Sequence, residues 1–288
     1  MALPLLRRNK NLPPTAEMGF VDHLEALRWH ILRSVIAIMI FAIASFIKID
    51  WIFDHIIFGP MRSDFFTYTQ LCTLSQRMHM GDALCMPAPD VKMQVTAFGS
   101  QFMSSITISI LLGFIIAFPY ICWELWRFIK PALSTREVKN ARGSIFWVTF
   151  FFITGVSFGY FLLAPFTFSF LSNYHIGTQH VLETRPTLDD YMENMVNIIV
   201  GTGLAFELPV ISYVLSRIGL ITPVFLRTYR KYAYLAILVI AAIITPSPDW
   251  MSQAIVAFPL FILFEISILI SARVQKEMLQ RDKEFFSS

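Results

Sequence analysis

Apolar residues in this chain come in long runs, and the short segments between them gather most of the charge. Crossing the hydrocarbon of a bilayer takes about 20 such residues in a helix. Six runs are candidates: residues 29–49, 102–122, 145–170, 195–215, 232–244 and 254–270. The first four meet that length and the last two fall short. At about 1.5 Å per residue, 232–244 reaches roughly 20 Å against a core near 30 Å. Between the last two stands Thr245-Pro246-Ser247-Pro248-Asp249. Proline removes a backbone donor, and unpaired backbone groups are costly in lipid, so no helix continues through this string. The two runs read as a short helical hairpin that shelters within protein or thins the bilayer around itself.

Composition agrees. Of 288 residues, 56% are hydrophobic and only 15% are charged, where a soluble domain carries about 25%. This is an all-α polytopic membrane protein. The charges also orient it. Six crossings put both termini on one side, and that side receives Arg7, Arg8, Lys10, Arg28 and Arg33, then Arg127, Lys130, Arg136, Lys139 and Arg142. It also receives Arg217, Arg227, Arg230 and Lys231, then Arg273, Lys276, Arg281 and Lys283. The opposite side holds Lys48, Arg62, Arg77, Lys92 and Arg185. The positive-inside rule therefore places both termini in the cytoplasm. No apolar h-region follows Arg7-Arg8, so residues 1–19 read as a solvated arm rather than a signal peptide.

The outer loops are about 50–101, 171–194 and 245–253. The first holds Cys72 and Cys85, which an exported compartment permits to be either bridged or two free thiols. Cys122 ends its run as a small packed residue.

Enzyme chemistry finds little support. None of the six histidines lies deep in a run, and no HExxH, Walker-type loop or dinucleotide fingerprint occurs. Gly155-Val156-Ser157-Phe158-Gly159 matches GxSxG, but inside an apolar helix without a base it reads as small-xxx-small helix packing.

Two acids remain in apolar context. Glu207 sits mid-run in Phe206-Glu207-Leu208-Pro209, where a carboxylate costs about 2.5–3.5 kcal/mol on insertion scales and so marks a functional position. Pro209 cannot donate to the carbonyl of Ala205, which loosens the helix beside the acid. Glu265 lies nearer its helix end, within expected reach of interfacial water or Arg273. On the basic side, Glu25 belongs to an amphipathic stretch in which Phe20, Leu24 and Leu27 recur at helical spacing. Glu137 follows Phe128-Ile129-Lys130-Pro131-Ala132-Leu133. Such acids are ordinarily solvated charge partners, but two on neighbouring elements can receive a cationic ligand, arginine above all.

Taken in order, five strings resemble the TatC family, the core membrane component of the twin-arginine protein translocase, across about residues 20–271. They are Phe20-x-x-His23-Leu24-x-x-Leu27-Arg28, Phe128-x-x-Pro131-Ala132-Leu133-x-x-x-Glu137 and Phe206-Glu207-Leu208-Pro209. Ala241-Ala242-x-x-Thr245-Pro246-x-Pro248-Asp249-x-x-Ser252-Gln253 and Phe264-Glu265-Ile266 complete the set. The resemblance implies six transmembrane helices in a cupped, glove-like arrangement, the fifth and sixth short. It divides the chain into a cytoplasmic arm and amphipathic segment (1–28), the membrane domain (29–271) and a cytoplasmic tail (272–288).

It also implies a non-enzymatic subunit of the bacterial inner membrane that moves folded proteins on the proton-motive force. Its implied partners are TatA- and TatB-type single-span proteins and twin-arginine signal peptides, in homo- and hetero-oligomers within the lipid bilayer, with no cofactor, metal or nucleic acid. Signal binding would fall to Glu25, Arg28, Phe128, Pro131, Leu133 and Glu137. Glu207 with Pro209 would supply an intramembrane polar contact. Tyr232, Leu235, Leu238 and Gln253 would dock a partner helix.

Two departures stand out. The family commonly reads His-Leu-x-Glu-Leu-Arg, whereas here Ala26 takes the acid's place and Glu25 precedes it, about 100° around a helix. Glu137 is accordingly favoured over Glu25. Thr-Pro-Ser-Pro-Asp is one residue longer than the usual Thr-Pro-Pro-Asp. A secondary transporter or channel using Glu207 as a midplane proton or ion site is the alternative, although such folds often show internal repeats and this chain shows none.

Overall fold

A computed structural model describes residues 20–79, 81–82, 85–89, 92–129, 144–174, 185–245 and 250–287. The described residues are almost wholly helical. Helix α1 (Phe20–Ile47) runs without a break from the amphipathic stretch into the first crossing. A short α2 (Ile49–Ile52), a π turn (Phe53–Ile57), a 3-10 turn (Gly59–Met61) and α3 (Phe66–Arg77) build a cap beyond it. Helix α4 (Ser100–Ile129) returns antiparallel to α1. Helix α5 (Ser144–Phe158) passes through a π segment (Gly159–Leu163) into α6 (Ala164–Asn173). Helices α7 (Leu188–Ala205) and α8 (Leu208–Arg217) form one interrupted crossing. Helices α9 (Pro223–Thr228), α10 (Arg230–Ile244) and α11 (Trp250–Ser287) complete the chain.

Five of these stretches are long and apolar enough to cross a membrane: Leu24–Ile47, Ser100–Ile129, Ile145–Asn173, Leu188–Arg217 and Ser252–Gln280. Helix α10 has 15 residues and is shorter than that requirement, as its short apolar run implies. The last helix corrects the expectation. Its 38 residues make it the longest in the described structure, not a short one. The apolar run stops near Ile270, but the Arg, Lys, Glu, Met and Gln that follow are good helix formers, so α11 continues through the boundary expected at 271/272. The fourth crossing also begins earlier than residue 195. Thr187 caps α7 by accepting from the Asp190 amide, and Asp189 and Asp190 in the first turn complement the helix dipole.

Small residues set the closest helix contacts. At Gly113 of α4 an added Cβ would lie 2.7 Å from the Ile38 carbonyl and 2.8 Å from the Ala42 amide of α1. At Gly155 it would lie 2.5 Å from the Thr202 carbonyl of α7, and at Gly159 it would strike the Thr202 hydroxyl. The GxSxG string is therefore a helix-packing face.

Two apolar clusters follow. One joins Leu163, Ile198 and Phe206 to Ile237, Ala241, Val256 and Leu260, uniting the third and fourth crossings with α10 and α11. The other packs Ile52 and Ile57 of the cap on Ile108, Phe168, Tyr191 and Met195. Tyrosine hydroxyls pin the cap's turns: Tyr160 donates to the Ile56 carbonyl at 2.7 Å and Tyr191 to that of Ile57 at 2.5 Å. Tyr68 donates to the Pro60 and Pro165 carbonyls, and its burial raises the pKa of the hydroxyl. Cys72 and Cys85 are joined by a disulfide.

Candidate functional site

The end of the bundle formed by the start of α1 and the end of α4 carries the densest charge cluster among the described residues. Its centre is Glu124, a carboxylate only 1% exposed. His30 of α1 donates from Nδ1 to Oε2 at 2.5 Å. Tyr120 donates to Oε1 at 3.1 Å, and Arg127 at 3.3 Å. Arg33 of α1 stands 3.8 Å from Oε2. The spacing explains the geometry: Tyr120 and Arg127 flank Glu124 at i−4 and i+3 on one face of α4, and His30 and Arg33 share a face of α1. Arg127 also lies over the Trp123 ring, 5.0 Å from its centroid.

His30 meets Phe128 edge-on, with ring centroids 6.1 Å apart. The contact sets α1, two residues past the Phe20–Arg28 string, against the first residue of the Phe128–Glu137 string. Glu25 and Arg28 are exposed, and Glu25 has no ion-pair partner among the described residues. Ala26, in the place of the family acid, is half-buried one helical turn before His30. Pro131, Leu133 and Glu137 lie outside the described residues, as do the breaker prolines Pro246 and Pro248 and Asp249.

Glu207 stands in the gap between α7 and α8. The Glu207 amide still bonds to the Leu204 carbonyl, and its carbonyl accepts from Val210 and Ile211. The backbone bonds continue on either side of the break, but one side-chain oxygen is left without a partner. Glu207 is 7% exposed, and its Oε1 has no hydrogen-bond partner among the described residues. Neighbouring Phe206 packs on Phe158, with ring centroids 5.3 Å apart. A carboxylate oxygen held in the protein without a partner is an open contact point.

Glu265 corrects an expectation. Its partner is Arg230 rather than Arg273: Arg230 donates to Oε2 at 2.9 Å and Tyr234 to Oε1 at 2.5 Å, fastening α10 to α11. On α10, Tyr232, Leu235 and Leu238 are exposed along with Val239 and Ile243. Gln253 donates to the Leu238 carbonyl at 3.0 Å, closing the hairpin.

Sequence reasoning missed Glu124, His30 and Arg33. Tyr120-x-x-x-Glu124-x-x-Arg127 carried the signal, since that spacing clusters three polar groups on one face; the partner helix was not visible in it.

A sequence model for the family described as Sec-independent protein translocase protein (TatC) matches residues 22–259. The Sec-independent protein translocase protein TatC of a Blattabacterium from Periplaneta americana is 39% identical over 264 residues, covering 91% of this chain and 97% of the relative. TatCd of Bacillus subtilis is 31% identical over 266 residues, 92% and 96% of the two chains. A crystal structure of the twin arginine translocase receptor TatC is similar at TM-score 0.64 and 30% identity, over 88% of this chain and 99% of that one. The same receptor in DDM gives TM-score 0.68 at 31% identity, over 86% and 99%. The chain belongs to the TatC family of Sec-independent protein translocase proteins.

Proposed function

We propose that this protein, a core subunit of the twin-arginine translocase, receives the paired arginines of signal peptides at the α1–α4 end of the bundle, with that end and both termini in the cytoplasm. The observation that carries this is the contact of His30, two residues past the first motif string, with Glu124 and with Phe128, the first residue of the second string. Glu25 is exposed there for a guanidinium, and Glu137, in the sequence between α4 and α5, is the second acid; charge-assisted contacts to arginine are the strong, orientation-selective kind. Phe128, Pro131 and Leu133 shape the apolar side of the site, and Arg28 marks its rim.

Glu207 offers its unpartnered oxygen to the signal's helix or to a partner's. The exposed face of α10 at Tyr232, Leu235 and Leu238 receives a TatA- or TatB-type single span, with Gln253 holding the hairpin in register. Six helices, the short α10 among them, form a cup in a bacterial inner membrane, and folded proteins pass on the proton-motive force without catalysis by this chain. Photo-crosslinkers placed beside the arginines of a signal peptide should capture residues 24–33 and 128–137. Normal signal binding by Glu137→Ala would refute the assigned acid.

A further inference from the structure

Glu124 is an expensive residue in its place. A carboxylate 1% exposed is tolerated only where donors compensate its lost hydration, and here four groups on two helices do so. Two of the four are guanidinium groups whose own side chains are about half exposed, Arg33 at 47% and Arg127 at 46%. With Arg28, they put three fixed cations around a face proposed above to attract arginines. Left uncompensated, those cations would repel an arginine-bearing peptide and compete with it for Glu25 and Glu137. Their only carboxylate partner among the described residues is Glu124.

We propose that Glu124 is a positioning residue of the signal-binding face: an internal counter-ion that takes Arg33 and Arg127 out of competition with the peptide and holds His30 against Phe128. The proposal rests on the signal-binding function proposed above and adds a residue outside the motif strings. Glu124 itself does not touch the peptide, because its oxygens are already engaged by groups of its own chain. Its effect is exerted through charge cancellation and through the ring it fixes.

Cancellation has a readout that a purely structural role lacks. Removing the charge from Glu124 leaves Arg33 and Arg127 without their carboxylate on the proposed binding face, and repulsion between exposed charges is screened within roughly 8–10 Å at physiological salt. The test is binding of a fluorescent twin-arginine peptide to the purified full chain in uncharged detergent, across a salt series. Glu124→Gln should weaken binding about tenfold at low ionic strength, as expected for one unit of extra repulsion at roughly 10 Å in a protein-surface dielectric. The deficit should shrink as salt rises, and the second change Arg127→Gln should largely restore binding.

Arg127→Gln alone, with Glu124 intact, should tighten binding, which keeps the proposal testable if Glu124→Gln fails to fold. Unchanged binding by Glu124→Gln would overturn the proposal. So would a loss that neither salt nor Arg127→Gln relieves, because that pattern belongs to a packing defect. A wild-type chain that binds twin-arginine and twin-lysine peptides alike would overturn the signal-binding function itself, and Glu124's role with it.

Discussion

Replacing Glu207 by leucine should make the protein more stable and inactive. The carboxylate is 7% exposed, and Oε1 has no partner among the described residues. An unsatisfied buried acceptor costs about 1–3 kcal/mol, and more when charged. Leucine removes that cost and fits the surrounding apolar cluster around Phe206 and Leu208. The break in the helix persists, because Pro209 is untouched. A gain of about 1–3 kcal/mol corresponds to roughly 2–10 °C in the unfolding midpoint of a chain this size. Thermal unfolding in detergent, followed by size-exclusion fluorescence, measures it; midpoints are compared directly, since two-state unfolding is not assured for a membrane protein. Export of a twin-arginine precursor, scored in the same variant, should be lost. Glu207→Gln keeps hydrogen-bonding capacity without the charge and should retain much of the export. A lower midpoint for Glu207→Leu would show that the carboxylate is a satisfied structural group. A Gln variant as inactive as the Leu variant would point to proton transfer.

Other expectations follow from the helix contacts and the cap. Gly155→Ala places a Cβ 2.5 Å from the Thr202 carbonyl, and such overpacking costs about 1–3 kcal/mol, outweighing a helix-propensity gain of about 1 kcal/mol. Gly99→Ala, with nothing within 4 Å of the new Cβ, should leave the midpoint unmoved; equal effects at both sites would refute the packing role of Gly155. Cys72→Ser opens a disulfide loop of sequence separation 13, removing about 3 kcal/mol on a chain-entropy estimate. Limited proteolysis should then accelerate between α3 and α4 but not within the crossings. Arg230→Ala breaks an ion pair whose partners are 43% and 41% exposed, so it should shift stability by no more than about 1 kcal/mol; a large loss would mean that α10 depends on it.

Much of this architecture was legible in the sequence because lipid imposes a simple rule. Runs such as 145–170 must be helices, and the shortness of α10 and the break beside Pro209 both follow from local chemistry. Helix ends were less legible. Residues 188–194 and 272–287 are polar enough to read as loop or tail, yet Thr187 caps the first and strong helix formers carry the second. Long-range pairing was not legible at all. For Glu265 the local sequence offers interfacial water or Arg273, near its helix end, whereas Arg230 reaches it across a hairpin. Nothing local marks Glu124, amid Trp and Arg near a helix end, as buried; its partners on α1, His30 and Arg33, reach it only in the folded bundle. The motif strings pointed to the site, while the cluster between them depended on tertiary contacts.

Paired arginines, if received at the α1–α4 end as proposed, should be distinguished from paired lysines. The most direct measurement is co-purification of the full chain with a tagged folded precursor bearing a twin-arginine signal, beside the same precursor with twin lysine. Lysine keeps the charge but not the planar, bidentate fork. The twin-arginine precursor should be retained and the twin-lysine precursor largely lost, and the difference should vanish in Glu137→Ala. Equal retention of both precursors would contradict the account.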